Sequence, residues 1–308
     1  MLKKITEKFF SSVSGTPKKG PAIVESKESI LSNPFITGKL FPLQGHQAYS
    51  VTEKPAYRGK TESTTHLPAP PTPELRMWYG VSEEDYLAGG ARDVDSMLRI
   101  LERAGASPSA LYRVLEVGCA AARMLRHYPF TEGKSELWGT DISAKHIAWC
   151  QQHLGPSLFF VTHTTSPHLP FEDNYFDLIF CGSVFTHISD MADAWFLELR
   201  RVLRSGGYIY ITIHDEHIIK WLLGEGALDE SIGHMSEMIK RLDAEASVLT
   251  RPYASFSIDA DARNQMQVFY DSESLVEKWA RWMTFVSKDP GAYGHQTALL
   301  FRKANSAT

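Results

Sequence analysis

Val114-Leu115-Glu116-Val117-Gly118-Cys119-Ala120-Ala121-Ala122-Arg123 is the stretch that decides the fold. An apolar run ends in an acid and a glycine, and small residues follow it into a segment with helical composition. Small side chains let a backbone approach a ligand closely, and a helix start offers free N–H groups. A pyrophosphate-binding loop would need a fuller G-x-G-x-x-G pattern, and here Gly118 stands among alanines. Glu116 in such a loop suits a ligand that carries a cationic amine, with Cys119 and Ala120 beside it.

Working outward, strand and helix signals alternate. The patterns predict strands over 113–118, 137–142, 158–161, 176–181 and 208–213. Helices are predicted around Leu125, over 144–154, and along Trp195, Leu199, Val202 and Leu203, the last stopping at Ser205-Gly206-Gly207. Upstream, Val94, Met97, Leu98 and Leu101 fall at helical spacing behind an N-cap at Ser82 and before Gly105. Short apolar strands alternating with helices imply a parallel sheet covered on both faces. Downstream, a helix carrying Ile232, Met235, Ile239 and Leu242 is expected, then a loop over 251–268 and a helix with Leu275, Val276 and Trp279. Closing strands are expected over 283–286 and 297–301. The fold class is therefore α/β: a Rossmann-like, doubly wound, mostly parallel seven-stranded sheet, with an N-terminal extension and a helical insertion after the fifth strand.

Asp141 ends the second strand, twenty-three residues past Gly118. An acid at that place accepts hydrogen bonds from a ribose diol, or else caps the following helix. Gly139-Thr140-Asp141-Ile142-Ser143, Leu169-Pro170-Phe171-Glu172-Asp173, Ser183-Val184-Phe185-Thr186-His187 and Glu198 to Gly207 follow in order.

Together with the opening stretch, these four blocks resemble the class I S-adenosylmethionine-dependent methyltransferases, across about residues 74–214. The resemblance implies S-adenosylmethionine as cofactor, with Glu116 and Gly118 at its methionine part, Asp141 at its ribose and Ile142 elsewhere in the same site. Cys119, Ala120 and Ser183 belong to the same implied site. Thr165 stands four residues before the Leu169-Pro170-Phe171 block, where many relatives carry an acid for the adenine amine. Alanines at 120 and 122 replace the family's usual glycines. Residues 1–75 are expected to be an N-terminal extension, partly disordered or strap-like, and 76–308 the methyltransferase domain, with 216–270 as a lid or substrate insertion.

Methyl transfer to oxygen needs in-line positioning and a base near the acceptor. His214, at the end of the fifth strand, is the first candidate base, with local turn-shaping as its equal alternative; His187 is the second. His214, Asp215 and His217 lack a matching third ligand for a metal site. Gln267 and Tyr270 fall where a lid would meet substrate, while Trp279 reads as packing.

Composition narrows the rest. Over 308 residues, 43% are hydrophobic and 22% charged, with a net charge of −4, which fits a globular protein and offers no basic patch for nucleic acid. Cys119, Cys150 and Cys181 form no C-x-x-C pair and are expected as buried thiols. The sequence contains neither an apolar run of spanning length nor a signal-peptide core, so a cytoplasmic protein without a membrane span is expected. A small-molecule acceptor is expected, in a sugar-like or secondary-metabolite class by resemblance, and a homodimer is compatible with the sequence. The competing reading is a methyltransferase-like scaffold without turnover; a dehydrogenase lacks its glycines.

Overall fold

The computed structural model describes residues 38–40, 50–52, 67–70, 72–76, 82–131, 133–155, 158–224, 235–236, 239–240, 252–257 and 266–305. All belong to one unit, Pro34–Thr308. Two three-residue strands, β1 (Gly38–Leu40) and β2 (Ser50–Thr52), pair antiparallel. A four-residue helix, α1 (Pro73–Arg76), precedes the long helix α2 (Glu83–Arg103). Ser82 caps α2 as expected, its hydroxyl accepting the Asp85 N–H at 3.0 Å. The buried face of α2 carries Val94, Met97, Ile100 and Leu101.

The central sheet is formed by β3 (Arg113–Val117), β4 (Glu136–Asp141), β5 (Phe159–Thr162), β6 (Phe176–Cys181), β7 (Leu203–Ile213), β10 (Thr284–Tyr293) and β11 (Gln296–Arg302). Its order is β10-β11-β7-β6-β3-β4-β5. The five strands from β7 to β5 run parallel, and β11 is antiparallel to both of its neighbours. The fold is thus the expected mostly parallel, seven-stranded α/β sheet. Helices α3 (Ala144–His153) and α4 (Ala192–Val202) connect the parallel strands. Val114, Leu115, Ile179, Phe180, Ile209 and Ile211 are fully buried, as strands covered on both faces require. The order doubles back beside β3, and such a reversal opens a crevice beyond the strands' carboxyl ends.

Three expectations need correction. No α-helix follows β3; residues 118–124 form successive turns, and Leu125–His127 is one 3-10 turn. The chain leaves α4 at Val202 and is already in β7 at Leu203, so Ser205-Gly206-Gly207 lies in the strand rather than ending the helix. Residues 251–268 are not all loop: β8 (Tyr253–Ser257) pairs antiparallel with β9 (Met266–Tyr270).

After β7 comes the short α5 (Glu216–Leu223), whose Ile218, Ile219 and Leu222 pack with Met235, Ile239 and Phe269. Ile232 and Leu242 lie outside the described residues. Helix α6 (Ser272–Trp279) buries Trp279, which stacks on Phe196 of α4 with ring centres 4.2 Å apart. All three cysteines are buried free thiols. Among the described residues, no helix is long and apolar enough to cross a membrane.

Candidate functional site

The carboxyl ends of β3 and β4 build the site's floor. Gly118 and Cys119 both donate their N–H to the Thr140 carbonyl, at 2.7 and 3.0 Å, so the loop after β3 folds over the end of β4. Gly118 has φ +74°, and a Cβ there would lie 2.3 Å from Cγ2 of Val184. Only glycine permits both the backbone conformation and the close approach of the 182–187 turn.

Beyond it, Ala120 and Ala122 hold φ of 43° and 57°. Left-handed conformations cost a non-glycine residue about 1–2 kcal/mol each, and named partners hold them here. The Asp141 carboxylate accepts the Ala120 N–H at 2.8 Å and, through its other oxygen, the Ser143 N–H at 2.8 Å. Arg126 donates to the carbonyls of Ala121 and Ala122, both at 2.8 Å, and to that of Pro68 at 2.7 Å. Asp141 therefore does not cap α3; Ser143 does, its hydroxyl accepting the His146 N–H.

Helix α2 presses on the same loop. A Cβ at Gly90 would sit 2.1 Å from the Arg123 carbonyl oxygen, so this mid-helix glycine marks close packing. Arg123 itself donates to Asp93 at 2.5 Å and to the Tyr293 hydroxyl at 2.7 Å, tying the loop to α2 and to β10.

A pocket opens in this place. Glu116, Gly118, Cys119 and Ala120 line it, joined by Arg76 and Tyr86 from the N-terminal side. Burial pushes the Glu116 carboxyl up to about 8, although its side chain accepts the Leu125 N–H at 3.0 Å. Burial also pushes the Cys119 thiol well above its usual range, so it is no nucleophile. The methyl of Ala122 is fully buried in the core and is not part of the pocket wall; only Ala120 adds a methyl to the pocket.

The remaining predicted residues spread along the sheet edge. Ile142, beside Asp141, is 44% exposed, an apolar side chain presented outward at the crevice. Thr165 is exposed on the loop after β5. Ser183 has φ +58° and donates its N–H to Thr212 Oγ1 at 2.7 Å. Thr212 donates to Gln296 Oε1 at 2.6 Å, and Gln296 Nε2 donates to Ser183 Oγ at 2.9 Å. This closed ring of hydrogen bonds fixes the turn after β6 against β7 and β11.

His187 ends that turn, its Nδ1 lying 2.7 Å from the Met266 carbonyl oxygen. A carbonyl only accepts, so Nδ1 carries the proton and Nε2 is the ring's acceptor. Although the residue reaches solvent, desolvation of the ring lowers its pKa, partly offset by that hydrogen bond. His214 is buried and stacks on Phe269 with ring centres 5.1 Å apart. Burial, reinforced by nearby His187 and His295, brings its pKa down to about 3. Its neighbour Asp215 caps α5 by accepting the His217 N–H at 3.1 Å. Among the described residues, no group of three or more His, Cys, Asp or Glu side chains is placed to hold a metal ion.

Sequence reasoning missed Arg76, Tyr86, Tyr293 and Gln296. None lies in a recognisable pattern; only the helical phase of Tyr86 with Gly90 hinted that both face the loop after β3.

Residues 115–211 match the family model described as a methyltransferase domain. The chain is similar to the solved structure of a Pyrococcus horikoshii OT3 protein, at 15% identity and a TM-score of 0.48, over 76% of this chain and 96% of that one. It is similar to magnesium protoporphyrin IX methyltransferase from Synechocystis PCC 6803 with bound SAH, at 14% identity and a TM-score of 0.48, over 74% and 92%. A third similar structure is a S-adenosylmethionine-dependent methyltransferase from Clostridium acetobutylicum ATCC 824, at 12% identity and a TM-score of 0.47, over 70% and 92%.

Proposed function

We infer that this S-adenosylmethionine-dependent methyltransferase, which matches the methyltransferase-domain model over residues 115–211, methylates an oxygen of a small-molecule acceptor. The residues present fit the cofactor. Gly118 brings backbone without a side chain to the pocket wall, an acid stands there at Glu116, and the buried Tyr86 hydroxyl on the same wall has no partner among the described residues. In this reading Glu116 meets the methionine ammonium, with Gly118, Cys119 and Ala120 giving close backbone approach. Asp141 takes the ribose hydroxyls while holding the loop, Ile142 covers the purine face, and Thr165 and Ser183 complete the rim. When bound, S-adenosylmethionine supplies the electrophilic methyl group.

The observation that carries the choice of base is the His187 tautomer. With Nδ1 committed to the Met266 carbonyl, Nε2 is left to accept a proton, and the turn that bears it packs directly on Gly118. His214 is buried against Phe269, and that burial makes it a weak proton acceptor at neutral pH, so His187 takes its place as the candidate base. The net charge of −4 supports a small-molecule acceptor over a nucleic acid, and a cytoplasmic site of action belongs to the same proposal.

The test is a panel of hydroxylated sugars and phenols incubated with methyl-labelled cofactor. Label should appear as a methyl ether, and His187→Gln should lower kcat by ~10²–10³-fold with cofactor affinity unchanged. Label on nitrogen acceptors only, or wild-type turnover in His187→Gln, would contradict the assignment.

A further inference from the structure

Tyr86 lies on the first turn of α2, outside the residues that match the family model. It is 1% exposed and lines the pocket that holds Glu116, yet its hydroxyl has no hydrogen-bond partner among the described residues. Buried tyrosine hydroxyls ordinarily find a partner, because a buried polar group left unpaired loses its hydration without compensation. The Arg126 guanidinium lies 5.8 Å from the centre of the Tyr86 ring, and Arg76 shares the pocket wall. Burial raises the Tyr86 pKa, so at neutral pH the hydroxyl keeps its proton and can donate.

The charges around this hydroxyl have a pattern. The pocket wall carries a carboxyl, Glu116, two guanidiniums, Arg76 and Arg123, and a neutral donor, Tyr86; Arg123 is engaged with Asp93 and the Tyr293 hydroxyl. That arrangement complements an α-amino acid zwitterion, with its ammonium toward Glu116 and its carboxylate toward Arg76 and Tyr86.

We propose that the Tyr86 hydroxyl donates a hydrogen bond to the methionine carboxylate of the cofactor, with Arg76 as the charge partner. The amino-acid end of the cofactor is therefore held by α1 and α2 as well as by the loop after β3. This rests on reading the pocket as the cofactor site, and the test separates the two claims.

Calorimetric titration of wild type and Tyr86→Phe would use three ligands: S-adenosylmethionine, S-adenosylhomocysteine and 5′-methylthioadenosine, which lacks the amino-acid portion. A hydrogen bond to a charged group is worth about 1.5–3 kcal/mol, or roughly 10–100-fold in affinity. The variant should lose that factor for the two amino-acid ligands and bind methylthioadenosine within about twofold of wild type. Because the change deletes an unpaired buried hydroxyl, the unliganded variant should melt no lower than wild type. Unchanged affinity for all three ligands, an equal loss for all three, or a lower melting point without ligand would overturn the assignment. If wild type binds none of the three, the cofactor reading falls first and the role of Tyr86 with it.

Discussion

Asp141→Asn perturbs the site at its most heavily shared residue. Each carboxylate oxygen accepts one backbone N–H at 2.8 Å, from Ala120 on the pocket loop and from Ser143 at the start of α3. The asparagine amide keeps one acceptor and turns an NH₂ group toward the other N–H. One charge-assisted bond is lost, worth about 1.5–3 kcal/mol, and a largely buried N–H is left unpaired. At ~2–4 °C per kcal/mol for a domain of this size, the melting midpoint should fall by about 5–10 °C. Ala120 is held at φ 43° partly by this contact, so the loop should relax and cofactor affinity should drop by roughly 30-fold or more. Differential scanning calorimetry of the unliganded variant, followed by titration with S-adenosylhomocysteine, reads both effects. A midpoint within about 1 °C of wild type would refute the reasoning, because Asp141 would then serve a ligand alone and not the loop.

Further consequences are equally specific. At pH 7, binding of the methionine ammonium should draw a proton off Glu116, whose carboxyl stands near 8 without ligand. The titration enthalpy should then vary with the buffer's ionisation enthalpy, and Glu116→Gln should abolish that variation. His214 ionises near 3 when folded and near its ordinary 6.5 when unfolded, so the unfolded chain binds more protons in between. Stability should fall as pH drops through that window, by up to about 1.4 kcal/mol per unit, and His214→Asn should flatten the slope in denaturant titrations. Gly90→Ala places a methyl 2.1 Å from the Arg123 carbonyl oxygen, so it should destabilise by about 1–3 kcal/mol despite alanine's better helix propensity. A stabilised variant would show that α2 can withdraw from the loop.

Much of this architecture was legible because it rests on local pattern. The apolar runs at 113–117, 136–141 and 176–181 read as covered strands, with the acids Glu116 and Asp141 at or next to the carboxyl ends of two of them. Where the reading failed, a tertiary partner overrode local preference. Alanines at 120–122 favour a helix, yet Asp141 and Arg126 take their N–H and carbonyl groups and hold them in turns. Gly206-Gly207 resembles a helix stop, but Leu203 is already paired with Phe176 of β6. Strands β8 and β9 hid because Tyr253-Ala-Ser-Phe-Ser alternates only weakly, and its pairing with Met266–Tyr270 is not local. Tyr86, Arg76 and Gln296 reach the site from 30 to 180 residues away along the chain, and spacing carries no trace of that.

The central claim is that this pocket binds S-adenosylmethionine, and direct calorimetric titration of the 308-residue chain with S-adenosylhomocysteine tests it. Saturable binding of one equivalent per chain, weakened in Asp141→Asn, is the predicted result. Absence of any heat of binding from a folded protein would contradict the account and leave a methyltransferase-shaped scaffold in its place.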